Sequence, residues 1–213
     1  MSAAAAAALD AIAAQRVVPV IRAASGDDAA ATARACAAGG MRAVELTCTT
    51  PDVFAALAAL RGEVADQDLH VGLGTVTTVA EVQRAAAAGA TFIVSYTNPP
   101  GVVAAARAAG LVAIPGALTP TEVAACLGDG ADAVKLFPAR AICPAHLRDL
   151  RTVMPGLKAM ATGGVGADDV VAWLAAGALA VGIGSELGTV ATAGAETVRA
   201  RAAALTAAAR GAA

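Results

Sequence analysis

"RVVPVIRAASGDDAAATARACAAGG", residues 16–40, holds the choice between two folds. A short run rich in branched apolar residues is followed by an alanine-rich stretch of helical length. Ser25 stands where a helix needs a side-chain oxygen to accept from its first free amides, and Gly39 and Gly40 close the far end. This is one strand feeding one helix. The alternative to a barrel is an open doubly wound sheet, which the absence of a GxGxxG turn after that first strand weakens. The unit favours a barrel.

The same unit recurs along the chain. Strand candidates are "RVVPVIR" (16–22), "RAVELT" (42–47), "HVGLGTV" (70–76), "TFIVS" (91–95), "LVAIPG" (111–116), "DAVKLF" (132–137), "LKAMAT" (157–162) and "ALAVGIG" (178–184). Each is mostly apolar on both faces, as a strand buried between layers must be. Ser25, Thr50 and Thr119 read as helix caps, the last two followed by a proline suited to the first helical position. Glycines at 39–40, 89, 110, 130 and 177 read as helix ends. Eight such units of roughly 20 to 30 residues predict a single (β/α)8 TIM barrel, one domain over residues 1–213. The opening "MSAAAAAALDAIAAQ" reads as an N-terminal capping helix. It has no basic leader, and alanine is too weakly apolar for an export core or a membrane span.

Composition narrows the function. The hydrophobic fraction of 58% is inflated by alanine, and the net charge of −2 without a basic run argues against a nucleic-acid partner, as the weakly apolar alanines argue against a membrane one. Cys36, Cys48, Cys126 and Cys143 show no metal-ligand spacing and read as free thiols in a reducing cytoplasm, with Cys36 and Cys126 in the core.

In a barrel the chemistry belongs at the C-terminal ends of the strands. Arg22, Glu45, Thr47, Thr75, Ser95, Lys135, Thr162 and Ser185 stand there, whereas the opposite ends offer residues such as Asp68 and His70. Lys135 is one of only two lysines beside 13 arginines, and it lies between Val134 and Leu136. A buried, neutral amine is a nucleophile toward a ketone, whereas a guanidinium keeps its proton and cannot form an imine. The alternatives are a lysine that reaches the rim or pairs with an acid. Glu45, between Val44 and Leu46, reads as a proton shuttle or as the ion-pair partner of Lys135 or Arg22. Thr75 follows Gly72 and Gly74, which are expected to let a ligand approach the backbone. "ATGGVGADD" and "GIGSELG" after the seventh and eighth strands read as an anion site made of backbone N–H groups, with Gly163, Gly164, Gly184 and Ser185 at its centre. His146 and Trp173 read as structural helix residues. His70 and Lys158 begin strands at the far face.

Taken in order, "VVPVIRA", "AVELTCTTPD", "GLGTVT", "FIVS", "IPGALTPTE", "VKLFPA" and "ATGGVGADDV…AVGIGS" resemble the 2-keto-3-deoxy-6-phosphogluconate / 4-hydroxy-2-oxoglutarate aldolases from about residue 10 to residue 190. The resemblance implies a homotrimeric class I aldolase with no metal and no cofactor, acting on a 2-keto-3-deoxy sugar acid and releasing pyruvate. It implies Lys135 as the Schiff-base lysine, Glu45 as acid/base and Thr75 as a contact to the pyruvate carboxylate. Thr162, Gly163, Gly164, Gly184 and Ser185 take the remaining substrate contacts. Three positions depart from the family pattern. Thr49 stands where many members have arginine, and Arg22 at the end of the first strand takes the substrate anion, as in members acting on the galactonate epimer. Tyr96 replaces a proline after the fourth strand. Arg140 replaces a frequent glutamate. A phosphate-binding epimerase or thiamine-phosphate synthase relative would share the glycine turns but would not need Lys135. A catalytically silent sugar-acid-binding barrel would not need Lys135 and Glu45 together.

Overall fold

β1 (Val17–Ile21) runs into α2 (Gly26–Ala38), and Ser25 Oγ accepts the Asp28 amide at 3.2 Å as the cap requires. Residues 2–64 and 69–211 are described in this computed structural model, the side chains of 62–64 excepted, so Asp68 lies outside the described residues. Ahead of β1 lies α1 (Ala3–Gln15). After α2 the chain continues through β2 (Ala43–Thr47), α3 (Val53–Val64), β3 (His70–Gly74), α4 (Val79–Ala88), β4 (Phe92–Val94) and α5 (Val102–Ala108). β5 (Val112–Ile114), β6 (Gly116–Ala117), α6 (Pro120–Gly128), β7 (Val134–Leu136) and α7 (Pro144–Val153) follow. The last turn of the barrel is β8 (Ala159–Thr162), α8 (Val170–Ala175) and β9 (Ala180–Ile183), ahead of α9 (Val190–Ala193) and α10 (Ala195–Arg210). Among the described residues no helix is long and apolar enough to cross a membrane.

The strands are parallel and ordered β5-β4-β3-β2-β1-β9-β8-β7-β6, a nearly closed barrel with alternating helices. Nine segments replace the eight expected because one run is split at Pro115. Proline has no amide to donate, so the ladder breaks there. β5 pairs with β4 on one side, β6 pairs with β7 on the other, and the Pro115 carbonyl still accepts the Lys135 amide at 2.8 Å. The covalent chain itself bridges the seam.

Two apolar layers hold the fold. The barrel interior, including Val18, Phe92, Val94, Ile114 and Met160, is continuous with Ala5, Ala8, Leu9 and Ile12 of α1, so the alanine-rich N-terminus floors the barrel. Gln15 fastens that floor: its side chain donates to the Ala43 carbonyl at 2.8 Å and accepts the Ala43 amide at 2.9 Å. The second layer lies between strands and helices and takes in Cys36, Cys126 and Trp173. His146 on α7 contacts the Leu118 carbonyl at 2.9 Å.

Thr119 caps α6 as expected, in a reciprocal box with Glu122. Thr50 does not cap α3. The helix begins only at Val53, Asp52 has φ +55°, and Thr50 Oγ1 instead accepts the Ala23 amide at 3.2 Å. Its hydroxyl is drawn to the loop after β1, a partner distant in sequence.

Candidate active site

Side chains alternate across a strand. Ala43 and Ala133 both belong to the interior layer, so Glu45 and Lys135, two residues further along β2 and β7, face the same interior nearer the C-terminal mouth. Lys135 Nζ stands 3.5 Å from Glu45 Oε1, with the two side chains 6% and 0% exposed. That separation is a charge contact at the outer limit of a hydrogen bond, and among the described residues neither Glu45 oxygen has another hydrogen-bond partner. Burial pushes the Glu45 carboxyl above the usual carboxylate range; the Lys135 charge, and after it Arg22, opposes that push. The Phe137 ring, its centre 5.6 Å from Nζ, walls the lysine on an apolar side.

β3 makes room for this pair in a way its sequence did not indicate. Gly72 and Gly74 do not open the backbone to a ligand; each is filled by a neighbouring side chain. A methyl on Gly74 would lie 1.8 Å from Glu45 Oε1, and one on Gly72 would lie 2.1 Å from the Phe92 ring. Gly182 likewise leaves space for Thr162, whose buried Oγ1 has no hydrogen-bond partner among the described residues. Thr75, next along from Gly74, has φ +61°. For a branched residue this left-handed conformation costs about 1–2 kcal/mol. Flanking bonds enforce it: Cys48 N–H donates to the Gly74 carbonyl at 2.9 Å and Val76 N–H to the Val94 carbonyl at 3.2 Å.

Arg22 donates to Thr49 Oγ1 at 2.9 Å, and Thr49 in turn touches Thr47 Oγ1 at 3.1 Å. Thr49 therefore steadies the arginine at the end of the first strand. At the other wall, Gly163 and Gly164 have φ +95° and +79°, two consecutive left-handed residues that a side chain would strain. Arg22, Glu45, Thr75, Lys135, Thr162, Gly163, Gly164, Gly184 and Ser185 all line one cavity of about 430 Å³. The residues singled out for catalysis and substrate binding are thus brought together.

Ser95 is not among them. Its hydroxyl donates to the Val76 carbonyl at 2.7 Å and holds a loop. Tyr96 stands outside the lining, 43% exposed, its ring edge-on to Phe137 at 6.4 Å between centres. Phe137, Arg140, Thr189 and Thr192 also line the cavity. At the start of α9 the Thr192 Oγ1 accepts the Thr189 amide at 2.9 Å, and the threonine spacing of the TVAT run is the signal for it. A larger hollow of about 520 Å³ lies at the opposite end beside Arg61, His70 and Gly110, and its lining holds no carboxylate and no lysine among the described residues.

A buried amine facing a buried carboxylate at the mouth of a barrel is equipment for imine chemistry. The chain matches the model of the KDPG and KHG aldolases over residues 9–201. It belongs to that family. It is 37% identical over 161 residues to the 2-dehydro-3-deoxy-phosphogluconate aldolase of Treponema pallidum, spanning 75% of this chain and 76% of that one. It is 33% identical over 172 residues to a probable 2-dehydro-3-deoxy-6-phosphogalactonate aldolase of Rhizobium meliloti, spanning 80% and 81%. Among solved structures it superimposes on the KDPG aldolase of Legionella pneumophila, described with pyruvate captured as a covalent carbinolamine, with TM-score 0.84 and 29% identity over 92% of this chain and 97% of that one. As a member of the KDPG and KHG aldolases, the protein is an aldehyde-lyase.

Proposed function

We propose that this aldolase cleaves 2-keto-3-deoxy-6-phosphogluconate to pyruvate and glyceraldehyde 3-phosphate, and 4-hydroxy-2-oxoglutarate to pyruvate and glyoxylate. The observation that carries the reading is the buried Lys135–Glu45 pair, 3.5 Å apart, with both carboxyl oxygens otherwise unpartnered among the described residues. The Lys135 amine attacks the C2 ketone, and loss of water gives a protonated imine that serves as the electron sink. Glu45, directly or through a water, removes the C4 hydroxyl proton, and the C3–C4 electron pair moves into the imine as the bond breaks. The aldehyde departs. Glu45 returns a proton to C3 of the enamine, and hydrolysis frees pyruvate and the amine. Thr75 and Thr162 orient the pyruvate half. Arg22 meets a substrate anion, and the 163–164 and 184–185 turns hold the distal phosphate.

A specific observation favours a second substrate, the galactonate epimer. Arg22 reaches the cavity from β1 and is tied to Thr49, so the substrate's anion or hydroxyls are met from the first strand and not from the second. The protein works as a single-domain chain assembled into a homotrimer in the cytoplasm, an arrangement supported by the family resemblance.

The test is chemical trapping. Borohydride added with pyruvate should reduce a covalent adduct onto Lys135, found on the tryptic peptide that ends at Arg140. The Lys135→Ala variant should lose both the adduct and nearly all cleavage. Labelling at full strength in that variant would remove Lys135 from the mechanism.

A further inference from the structure

The phosphate end of the cavity carries a cation that the steps above leave idle. Arg140 sits in the short 3₁₀ turn Ala139–Ala141 that follows β7. Its amide donates to the Gly163 carbonyl at 2.9 Å, which fixes this turn to the glycine turn after β8. Its side chain lies along the second glycine: a methyl on Gly164 would stand 2.8 Å from Arg140 Cβ and 3.0 Å from Nε. Gly164 is thus required twice, by its left-handed backbone and by the arginine stem packed on it. Arg140 lines the same cavity as Gly163, Gly164 and Ser185, and its guanidinium makes no hydrogen bond or ion pair among the described residues. Among the described residues the forked donors of this cavity-lining arginine have no protein acceptor.

Backbone amides carry only partial charge, whereas a phosphate monoester brings close to two negative charges and three acceptor oxygens. A guanidinium offers paired N–H donors in the geometry such oxygens accept, and it stays charged at every working pH. We infer that Arg140 is a specificity-determining residue that binds the terminal phosphate of the substrate and sets the preference for phosphorylated over unphosphorylated 2-keto acids. The inference rests on the lysine-imine reading for its substrate and not for its chemistry, because phosphate binding does not depend on Lys135.

Two measurements on the full-length protein test it. In steady-state kinetics, Arg140→Gln should lower kcat/KM for 2-keto-3-deoxy-6-phosphogluconate by about 10- to 100-fold, the range of a lost charge-assisted hydrogen bond. The loss should appear mainly in KM. The decrease with 4-hydroxy-2-oxoglutarate should be at least about ten times smaller, and Arg140→Lys, which keeps the charge without the fork, should fall between. In titration calorimetry without substrate, inorganic phosphate should bind the wild type more tightly than Arg140→Gln by a comparable factor. Equal losses on both substrates, or phosphate affinity unmoved by the substitution, would overturn the inference. Pyruvate trapping separates the two readings. If the wild type traps no pyruvate, the imine mechanism fails while the calorimetry still decides Arg140. If trapping survives in Arg140→Gln and the substrate ratio does not move, Arg140 alone fails.

Discussion

Glu45 and Lys135 were legible as chemistry because each is an ionisable residue set within an apolar strand, where packing alone gives it no reason to stand. What the chain could not disclose is the state of the pair. Burial holds the Glu45 carboxyl above the usual value of 4.5, so its protonated form persists to a pH at which a free glutamate is ionised. A base must be ionised to act. The acid limb of kcat/KM is therefore expected to have its midpoint above about 4.5, and Glu45→Gln should erase the limb while lowering kcat/KM by roughly 10²–10⁴-fold. Deuterium exchange into the pyruvate methyl group should suffer more than adduct trapping. A limb that survives in Glu45→Gln belongs to another group. The same shift acts on stability. Glu45's contribution is full below the ordinary carboxylate pKa and is lost as pH rises through the folded one, because the buried site disfavours the charge.

β3 shows where reading along one strand stops being enough. Gly72 and Gly74 are visible as glycines, but their purpose depends on Glu45 of β2 and Phe92 of β4, side chains that only the sheet register sets against them. The two positions should respond differently to one added methyl. Gly74→Ala should displace the carboxylate and lower kcat/KM by about 10²-fold or more, since a shift near 1 Å in a catalytic group is enough for that. Gly72→Ala should press on the Phe92 ring and destabilise the fold by about 1–3 kcal/mol, seen as a lower urea midpoint. A Gly74→Ala enzyme with unchanged kcat/KM would show that Glu45 does not need that space. Thr50 teaches the same lesson. It has the sequence of a cap, yet the loop after β1 takes its hydroxyl.

The barrel separates stability from catalysis along its axis. α1 floors the N-terminal end, the buried Lys135–Glu45 pair stands toward the other, and Ile12 is 0% exposed in the layer that α1 shares with the strands. Ile12→Ala should lower stability by about 2–5 kcal/mol through lost burial and the cavity left behind. At temperatures where the variant stays folded, kcat/KM should match the wild type within about two-fold, because nothing near Lys135 moves. Denaturant unfolding and kinetics on the same preparation check this, and a parallel fall in kcat/KM would mean that the floor also shapes the site.

By itself the sequence determined the alternation of strand and helix, most of the caps, the direction of every strand and therefore the face on which Lys135, Glu45 and the two glycine turns must gather. Those properties follow from local periodicity and from the handed, parallel connection of βα units, and both are written in neighbouring residues. Tertiary structure alone decided the split of the fifth strand at Pro115 and the filling of Gly72 and Gly74. It also decided the support of Arg22 by Thr49 and the seating of Arg140 on Gly164. Each of these is a contact between residues 15 or more positions apart. Such contacts depend on register, ring closure and the exact volume left between side chains, and no periodicity in the chain encodes them.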